Sequence, residues 1–177
     1  EEKYNREKNG YVNPDYAQIP VEVQDMAKQF RGDDFKMSQT QKNGVGFLVN
    51  KGSGLIAYGV GVGKTHTLAI ATKANMDKGW TKRPLFTVPK TTISKTWIGT
   101  LHEMFPTLKI NNLEGLQAPV IARLKKERGE DPKNWIQDGE FTVISHEGLL
   151  RLGFKEDELR DAAGDLQDAI WKDESTK

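Results

Sequence analysis

One glycine-rich run contains the residue types that bind phosphate. Residues 57–65 read Ala-Tyr-Gly-Val-Gly-Val-Gly-Lys-Thr and lie between a short apolar run and a helical pattern. A turn of small residues lets successive backbone N–H groups point into one concavity at a helix N-terminus, where about half a unit of positive charge resides. Lys64 is then placed to reach the β- and γ-phosphates of a nucleotide, and the Thr65 hydroxyl is placed to complete a magnesium site.

The glycines of this run have a steric purpose. A side chain at Gly61 or Gly63 would block the close approach of a phosphate or forbid the required backbone angles. The run therefore predicts a site for a nucleoside triphosphate and Mg²⁺, with Lys64 and Thr65 as catalytic residues. The predicted cofactor-binding residues of the run are Gly59, Gly61, Val62, Gly63, Lys64 and Thr65. An ordinary glycine-rich surface loop is the alternative.

Hydrophobic periodicity places this run in an alternation of strands and helices. Apolar strands that alternate with helices predict a parallel sheet covered on both faces, and therefore an α/β fold. Residues 1–37 are polar and are predicted to be a linker or extension with one short helix at 21–30. The predicted strands are 55–57, 84–89, 108–110 and 141–144, and the predicted helices are 38–50, 65–77, 91–104, 119–128 and 155–172.

The charge of the chain is concentrated in its middle. The 177 residues include 26 Lys and Arg and 25 Asp and Glu, for a net charge of +1. Residues 51–110 alone carry nine basic and two acidic residues, so an anionic ligand is expected there. The absence of cysteine excludes disulfides, thiolate zinc sites and a Cys nucleophile. No apolar run reaches the roughly 18 residues of a membrane span, so no membrane partner is expected.

The glycine-rich run resembles that of superfamily 2 helicases and translocases. The common loop, G-x-x-x-x-G-K-[ST], has a glycine where this chain has Tyr58, but the G-V-G-K-T ending matches the superfamily 2 variant. Upstream, residues 38–48 look like the Q-type motif of Swi/Snf-like enzymes, in which the residue matching Gln41 reads the adenine edge. An amide supplies the donor and the acceptor that this edge demands, and a surface glutamine is the alternative. The resemblance implies ATP and a partial RecA-like P-loop domain.

Two later segments resemble motifs that grip a nucleic-acid backbone in these enzymes. The segment P-L-F-T-V-P-K-T-T is similar to motif Ia, and F-T-V-I-S-H-E is similar to motif Ib. The residues that this resemblance implies for DNA binding are Lys90, Thr91, Ser145 and His146. Ammonium, hydroxyl and N–H groups suit sequence-independent contacts with phosphates. The alternatives are a threonine that only caps the next helix, a solvated lysine and an ordinary loop histidine.

A narrower resemblance extends over roughly residues 1–150. The opening E-E-K-Y-N-R, the pair Tyr11 and Val12, the Gln41 segment and residues 55–65 look like a junction in very large phage and mobile-element proteins. Those proteins join an adenine-specific DNA methylase to a superfamily 2 helicase. The resemblance implies a phage or mobile-element protein of the host cytoplasm or the virion, with a methylase (methyltransferase) fusion. No Asn-Pro-Pro-Tyr methylase motif is present in the chain.

The hydrolytic residues of such an enzyme are not recognised in the sequence. Hydrolysis needs a carboxylate pair after a buried strand and an arginine from a second lobe. The pair Asp173 and Glu174 has no apolar strand before it. Residues 38–177 are therefore expected to be an incomplete first lobe whose partners are DNA and the rest of the helicase. Alone, the chain is expected to bind nucleotide weakly and to be inactive.

Two other functions stay open at this point. A different P-loop phosphotransferase would need a lid of arginines and an acceptor site, and the acidic C-terminal third offers no such cluster. A non-catalytic nucleotide-binding or structural module would keep the loop for folding. Loss of ATP binding on replacing Lys64 would separate the enzymes from the purely structural module.

Overall fold

The computed structural model describes residues 14–152 of the chain, apart from the side chains of residues 94 and 95. The helix predicted at 155–172 and the Asp173–Glu174 pair lie outside the described residues. Within them, the chain divides into two compact units, one of residues 14–84 and 99–108 and the other of 85–98 and 109–152. Among the helices of this described part, none has the length and apolar character that crossing a membrane requires.

Two helices form the centre of the first unit. Helix α1 (Gln39–Lys51) begins at Ser38, whose hydroxyl accepts the Gln41 backbone N–H while the Gln41 side chain accepts the Ser38 N–H. This capping box pairs N–H groups that a helix start leaves unsatisfied. Helix α2 (Lys64–Asp77) packs against α1, so both predicted helices are confirmed. The buried apolar residues of the pair are Val45, Val49, Ala69, Ile70, Ala71 and Ala74.

The helix predicted at 21–30 is wrong, because residues 21–28 form a turn and irregular backbone and a short β-hairpin follows them. Strands β1 (Gln29–Phe30) and β2 (Asp33–Asp34) are antiparallel and are joined by two residues with positive φ, 55° and 88°. Such a two-residue turn matches the right-handed twist of paired strands. Upstream, Asp25 has a φ of 57°, which breaks helical backbone geometry, and the Ala27 N–H bonds to the Met104 carbonyl at 2.8 Å. Tertiary partners therefore take up hydrogen bonds that a helix would have used.

The run just before the glycine-rich loop is also different from its prediction. Residues 55–57 were expected to be a buried strand, but they pair with no strand among the described residues. Leu55 is 86% exposed. A short apolar run becomes a buried strand only when a neighbouring strand supplies hydrogen bonds and a cover, and neither is present in this part of the chain.

The second unit contains a parallel three-stranded sheet. Its strands are β3 (Leu85–Val88), β4 (Ile110–Glu114) and β5 (Phe141–Ser145), in the spatial order β3-β5-β4. Strand β5 lies in the middle and is buried along its whole length, as expected for a strand covered on both faces. Strand β4 begins at Ile110 and not at residue 108, because the Leu108 N–H closes a turn onto the Phe105 carbonyl at 3.1 Å. The predicted α/β class with a parallel sheet is confirmed.

The segment after β3 is helical, but it is not one regular α-helix. A 3₁₀ turn (Lys90–Thr92) leads into a π-helical stretch (Ile93–Ile98) and then into α3 (Gly99–Met104), which belongs to the first unit. Its apolar residues Ile93, Trp97, Leu101 and Met104, which are spaced three or four residues apart, are all buried. The centroid of the Trp97 ring lies 5.0 Å from that of the Phe86 ring, so Trp97 is part of the core of the second unit.

Helices α4 (Ala118–Arg128) and α5 (His146–Arg151) complete the second unit. Its apolar core consists of Leu113, Leu116, Leu124, Trp135, Ile144 and Leu152. Glu140 is buried beside this core and forms ion pairs with Arg128 at 2.8 Å and with Lys109 at 2.5 Å. Burial raises the pKa of Glu140, but hydrogen bonds from Lys109 and Arg128 outweigh it and hold that pKa below its ordinary value.

Candidate functional site

The glycine-rich loop forms the turn that leads into α2. Gly61 and Gly63 have φ angles of 83° and 87°, in the left-handed region that side chains rarely adopt. Gly63 is the N-cap of α2, and its carbonyl accepts the first intrahelical hydrogen bond, from the Thr67 N–H at 3.0 Å. The two glycines are therefore required by the backbone path.

The start of α2 has the features of an anion-binding helix end. No side chain caps its N-terminus, and its first turn contains no acidic residue. The first N–H groups of a helix point outward along its axis and carry the positive end of the helix dipole. Nothing within the helix start therefore neutralises the charge that a phosphate would meet.

Lys64 directs its ammonium back over the loop. Its Nζ donates to the carbonyl oxygens of Tyr58, at 2.9 Å, and Gly59, at 2.8 Å. An ammonium carries three hydrogens, so these two bonds leave one donor for an anionic acceptor. Two backbone carbonyls of the loop thus hold the Lys64 ammonium in place.

Gln41 lies directly against the loop. A Cβ atom built on Gly63 would come within 2.2 Å of the Gln41 Nε2 atom, which shows how closely the carboxamide approaches. Its Oε1 atom accepts the Ser38 N–H at 2.8 Å and has a second lone pair, while Nε2 carries two donor hydrogens. The structure therefore brings the predicted glutamine and the predicted phosphate loop together.

Tyr58 fills the position of the missing first glycine without closing the loop. Its side chain turns toward α1, where its hydroxyl donates to the Thr40 carbonyl at 2.7 Å. Gly44 makes room for it, since a Cβ there would meet the Tyr58 hydroxyl oxygen at 2.6 Å. Burial raises the pKa of the Tyr58 phenol. This anchor was not predicted, and the glycine one helical turn after Thr40 is the sequence signal that points to it.

The remaining predicted residues of the loop lie at its surface or at the helix start. Gly59 is exposed, and Val62 is half-buried in the loop. Thr65 is the second residue of α2 and is half-buried. Its hydroxyl therefore lies in the helical turn that also presents the uncapped N–H groups.

His66 is a neighbour of the loop to which the sequence assigned no role. Its ring stacks on Phe35, with centroids 5.8 Å apart, and meets the edge of Phe30 at 4.6 Å. Burial lowers the pKa of His66, Arg31 lowers it further, and Glu103 opposes them. The ring is therefore neutral at neutral pH, and it serves to hold the β1–β2 hairpin against the first turn of α2.

The residues predicted to bind DNA lie in the second unit, at one edge of its sheet. Strands β3 and β5 are parallel neighbours, with Val88 opposite Ser145, so the segments that follow them leave from the same edge. Lys90 and Thr91 follow β3 and are exposed, and His146 follows β5 and is exposed. The structure thus brings these four predicted positions to one edge.

Ser145 differs from the other three in being fully buried. Its Oγ atom accepts the Gly148 N–H at 2.9 Å and caps α5. A contact between Ser145 and DNA stays a prediction, and the hydroxyl as observed positions the start of α5.

Glu147 brings a negative charge to this edge. Its own backbone N–H lowers the pKa of the carboxyl most, the Ser145 hydroxyl lowers it next, and His146 and Lys90 add a smaller effect. The carboxylate is therefore ionised at neutral pH and would repel a phosphate. The prediction of DNA binding took no account of this charge, although Glu147 is the last residue of the segment that resembles motif Ib.

Comparison with known families decides the affiliation of the chain. A family model described as Type III restriction enzyme, res subunit, matches residues 21–175. The chain belongs to this family. The res subunit family is a superfamily 2 helicase-like P-loop family, which agrees with the resemblance of the glycine-rich loop. No curated protein matches the chain.

Membership in the res subunit family fixes the coarse identity of the fold and of the site. The parallel sheet with its flanking helices is part of a RecA-like domain, as predicted. The chain carries an ATP-dependent helicase-like nucleotide-binding module. Domains of this kind typically use ATP and Mg²⁺, whose expected ligands at the loop are phosphate-facing N–H groups, an ammonium and a hydroxyl.

Proposed function

We propose that this chain is the ATP-binding portion of an ATP-dependent DNA helicase or translocase. The observation that carries the proposal is the juxtaposition of Gln41, Gly63 and Lys64 at the uncapped start of α2. A base-reading amide and a phosphate-binding ammonium on one loop suit a purine nucleoside triphosphate. A site for phosphate alone needs only the N–H groups and the ammonium, and the amide, which also caps α1, adds donor hydrogens that a base can use.

Nucleotide binding is proposed to be shared by five residues, Gln41, Gly61, Gly63, Lys64 and Thr65. The N–H groups at the start of α2 and the Lys64 ammonium bind the phosphates, while Gly61 and Gly63 keep the approach open. The Thr65 hydroxyl completes the coordination of Mg²⁺. The Gln41 amide, with Nε2 hydrogens and one remaining Oε1 lone pair, binds the donor–acceptor edge of adenine.

A titration with Mg-ATP tests this proposal. We expect saturable binding by the full chain and a loss of affinity of roughly 10- to 100-fold in Lys64→Ala, because hydrogen bonds from charged groups contribute about 1.5–3 kcal/mol. Lys51→Ala is the matched control, since Lys51 is exposed at the far end of α1. Equal affinities in the parent and in Lys64→Ala would overturn the proposal.

A comparison of nucleotides tests the role of Gln41. We expect Gln41→Ala to weaken the binding of ATP more than that of inorganic triphosphate, because the amide is proposed to bind the base although it also lies against Gly63. Lys42→Ala is the control on the same helix, as its side chain is exposed. Equal losses for ATP and triphosphate would show that Gln41 only shapes the loop.

DNA binding at the sheet edge is the second part of the proposal. Lys90 and Thr91 after β3 and His146 after β5 are exposed at one edge, and backbone contacts need a cation and hydroxyl or N–H donors. Affinity for DNA that falls steeply with salt would support it. A different P-loop phosphotransferase would show no such affinity, and a non-catalytic module would retain its fold without nucleotide.

The larger protein is also a matter of proposal. We infer that residues 38–177 form part of a first RecA-like lobe behind a 1–37 extension, and that the chain alone binds ATP without hydrolysing it. A phage or mobile-element origin and a fused DNA methylase are supported only by the sequence resemblance over roughly residues 1–150. A methylase motif in the gene upstream of Glu1, and an acidic pair after a buried strand downstream of Lys177, are the expected observations.

A further inference from the structure

An exposed tryptophan follows the end of α2 that is opposite to the phosphate loop. Trp80 is 67% exposed. Helix α2 has 14 residues and rises 1.5 Å per residue, so this end is about 20 Å from Lys64. Large indole rings are usually buried, so the position of Trp80 calls for a physical reason.

The backbone around Trp80 is held rigidly. The Gly79 N–H bonds to the Met76 carbonyl and the Trp80 N–H to the Asn75 carbonyl, both at 2.9 Å, and Gly79 has a φ of 73°. This is the Schellman arrangement that ends a helix. The Thr81 N–H adds a further bond to Asn75. Trp80 is therefore presented at a fixed position on an ordered turn.

The indole lacks the contact that usually accompanies this arrangement. In a Schellman end, the residue at the Trp80 position commonly packs against an apolar side chain at the Asn75 position. Asparagine offers no apolar surface, and the ring instead has the Lys78 ammonium 4.7 Å from its centroid. The ring has one cation beside it and most of its surface in solvent.

The surrounding sequence is strongly basic. Residues 78–102 contain five Lys and Arg residues and no Asp or Glu. Lys78 and Lys82 flank Trp80 and are both exposed. We propose that Trp80, Lys78 and Lys82 form a binding surface for single-stranded nucleic acid, on which an unpaired base stacks against the indole while the lysines bind adjacent phosphates.

Single strands fit this surface better than the other polyanions. Stacking on an aromatic side chain needs the open face of an unpaired base, which a duplex does not offer. An anionic membrane surface would require several apolar side chains beside the tryptophan. The other large apolar residues exposed in the described part, Leu55, Val60 and Leu150, lie outside this turn in sequence. This surface is separate from the nucleotide site and does not depend on it.

Fluorescence titration of the full chain with a short oligothymidylate tests the inference. Trp80→Ala is expected to weaken binding by roughly 5- to 100-fold and Trp80→Phe by much less, because stacking of one base contributes about that factor and phenylalanine retains it. Lys82→Ala is expected to reduce the salt slope by about 0.7. Leu55→Ala, another exposed apolar residue, and Lys51→Ala are the matched controls.

Three results would overturn the inference. They are no measurable oligothymidylate binding by the parent, equal binding by Trp80→Ala, and equal losses in Trp80→Ala and Leu55→Ala. Vesicles rich in phosphatidylserine serve as a further probe, and a Trp80→Ala loss confined to vesicles would assign the surface to lipid instead. Mg-ATP titration of the same variants separates this result from the proposed function, since Trp80→Ala is expected to bind nucleotide as the parent does.

Discussion

At the phosphate loop, the backbone determines the φ angles of Gly61 and Gly63 and holds the Lys64 ammonium by hydrogen bonds. At the sheet edge, by contrast, Lys90 and His146 are simply exposed where two neighbouring strands end. The loop constrains which residue types fit, because left-handed φ angles and a close side-chain neighbour admit only glycine. The edge constrains position and leaves the residue type open. The buried Ser145, which caps α5, and the Glu147 carboxylate therefore lie at the same edge as Lys90 and His146.

The largest expected effect lies at the loop, in Gly63→Ala. The added Cβ would come within 2.2 Å of Gln41 Nε2, and the φ of 87° would cost about 1–2 kcal/mol for a residue other than glycine. We expect at least a tenfold loss of Mg-ATP affinity by calorimetry. Gly139→Ala is the matched control, with a φ of 78° and open space around it. Similar affinity losses in both variants would mean that strain alone, and not the Gln41 contact, matters.

The next effect is on stability, in Ser145→Ala. Loss of the hydroxyl that caps α5 should lower the free energy of unfolding by about 1 kcal/mol. Urea denaturation measures this change, and Ser53→Ala, at an exposed loop position, is the control. An unchanged stability together with lost DNA affinity would make Ser145 a direct DNA contact.

A smaller effect is expected from Lys90→Ala. Removing one exposed cation should weaken DNA binding a few-fold and reduce the salt slope by about 0.7–0.9, with nucleotide affinity unchanged. Lys126→Ala, exposed on α4 in the same unit, is the control. An equal change in the salt slope of DNA binding in the two variants would mean that the sheet edge is not a specific DNA-binding site.

The smallest effect, and one of opposite sign, is expected from Glu147→Gln. Removal of a surface charge next to Lys90 and His146 should raise DNA affinity about twofold at neutral pH. The Glu147 pKa is lowered in the folded chain, so the ionised carboxylate stabilises the fold at pH values above the ordinary glutamate pKa of 4.5. This stabilisation is lost as the carboxylate is protonated, when the pH falls through the lowered pKa. The parent should therefore approach the variant in DNA affinity only below pH 4.5. Unequal affinities there would assign the difference to another group.

The regular elements follow from local patterns where those patterns are long. Helices α1 and α2 have clear starts, a serine cap and a glycine-rich turn, and β5 is an apolar run that becomes a central strand. The β1–β2 hairpin was missed because its strands have two residues each, too few to show a period. The strand at 55–57 was wrongly expected because burial depends on neighbours that an apolar run cannot specify.

The site divides in the same way. Gly61, Gly63 and Lys64 were predicted as site residues from their spacing, and the structure places them in one turn at the start of α2. The contact of Gln41 with Gly63 needed the packing of α1 beside the loop, and only a family resemblance suggested it. The Glu147 carboxylate belongs to the segment that resembles motif Ib, but its proximity to Lys90 depends on the pairing of β3 with β5. The stacking of His66 depends on tertiary partners that no local motif shows.

The Tyr58 side chain anchors the start of the glycine-rich loop to α1. To rearrange, the loop would have to release the phenol from the Thr40 carbonyl, at a cost of about 0.5–1.5 kcal/mol for one hydrogen bond. Since the Tyr58 pKa is raised above 10.0, the phenol keeps its donor proton through mildly alkaline conditions, and the tie weakens only as pH rises through that raised value. The Tyr58–Thr40 hydrogen bond is therefore independent of pH over the whole physiological range.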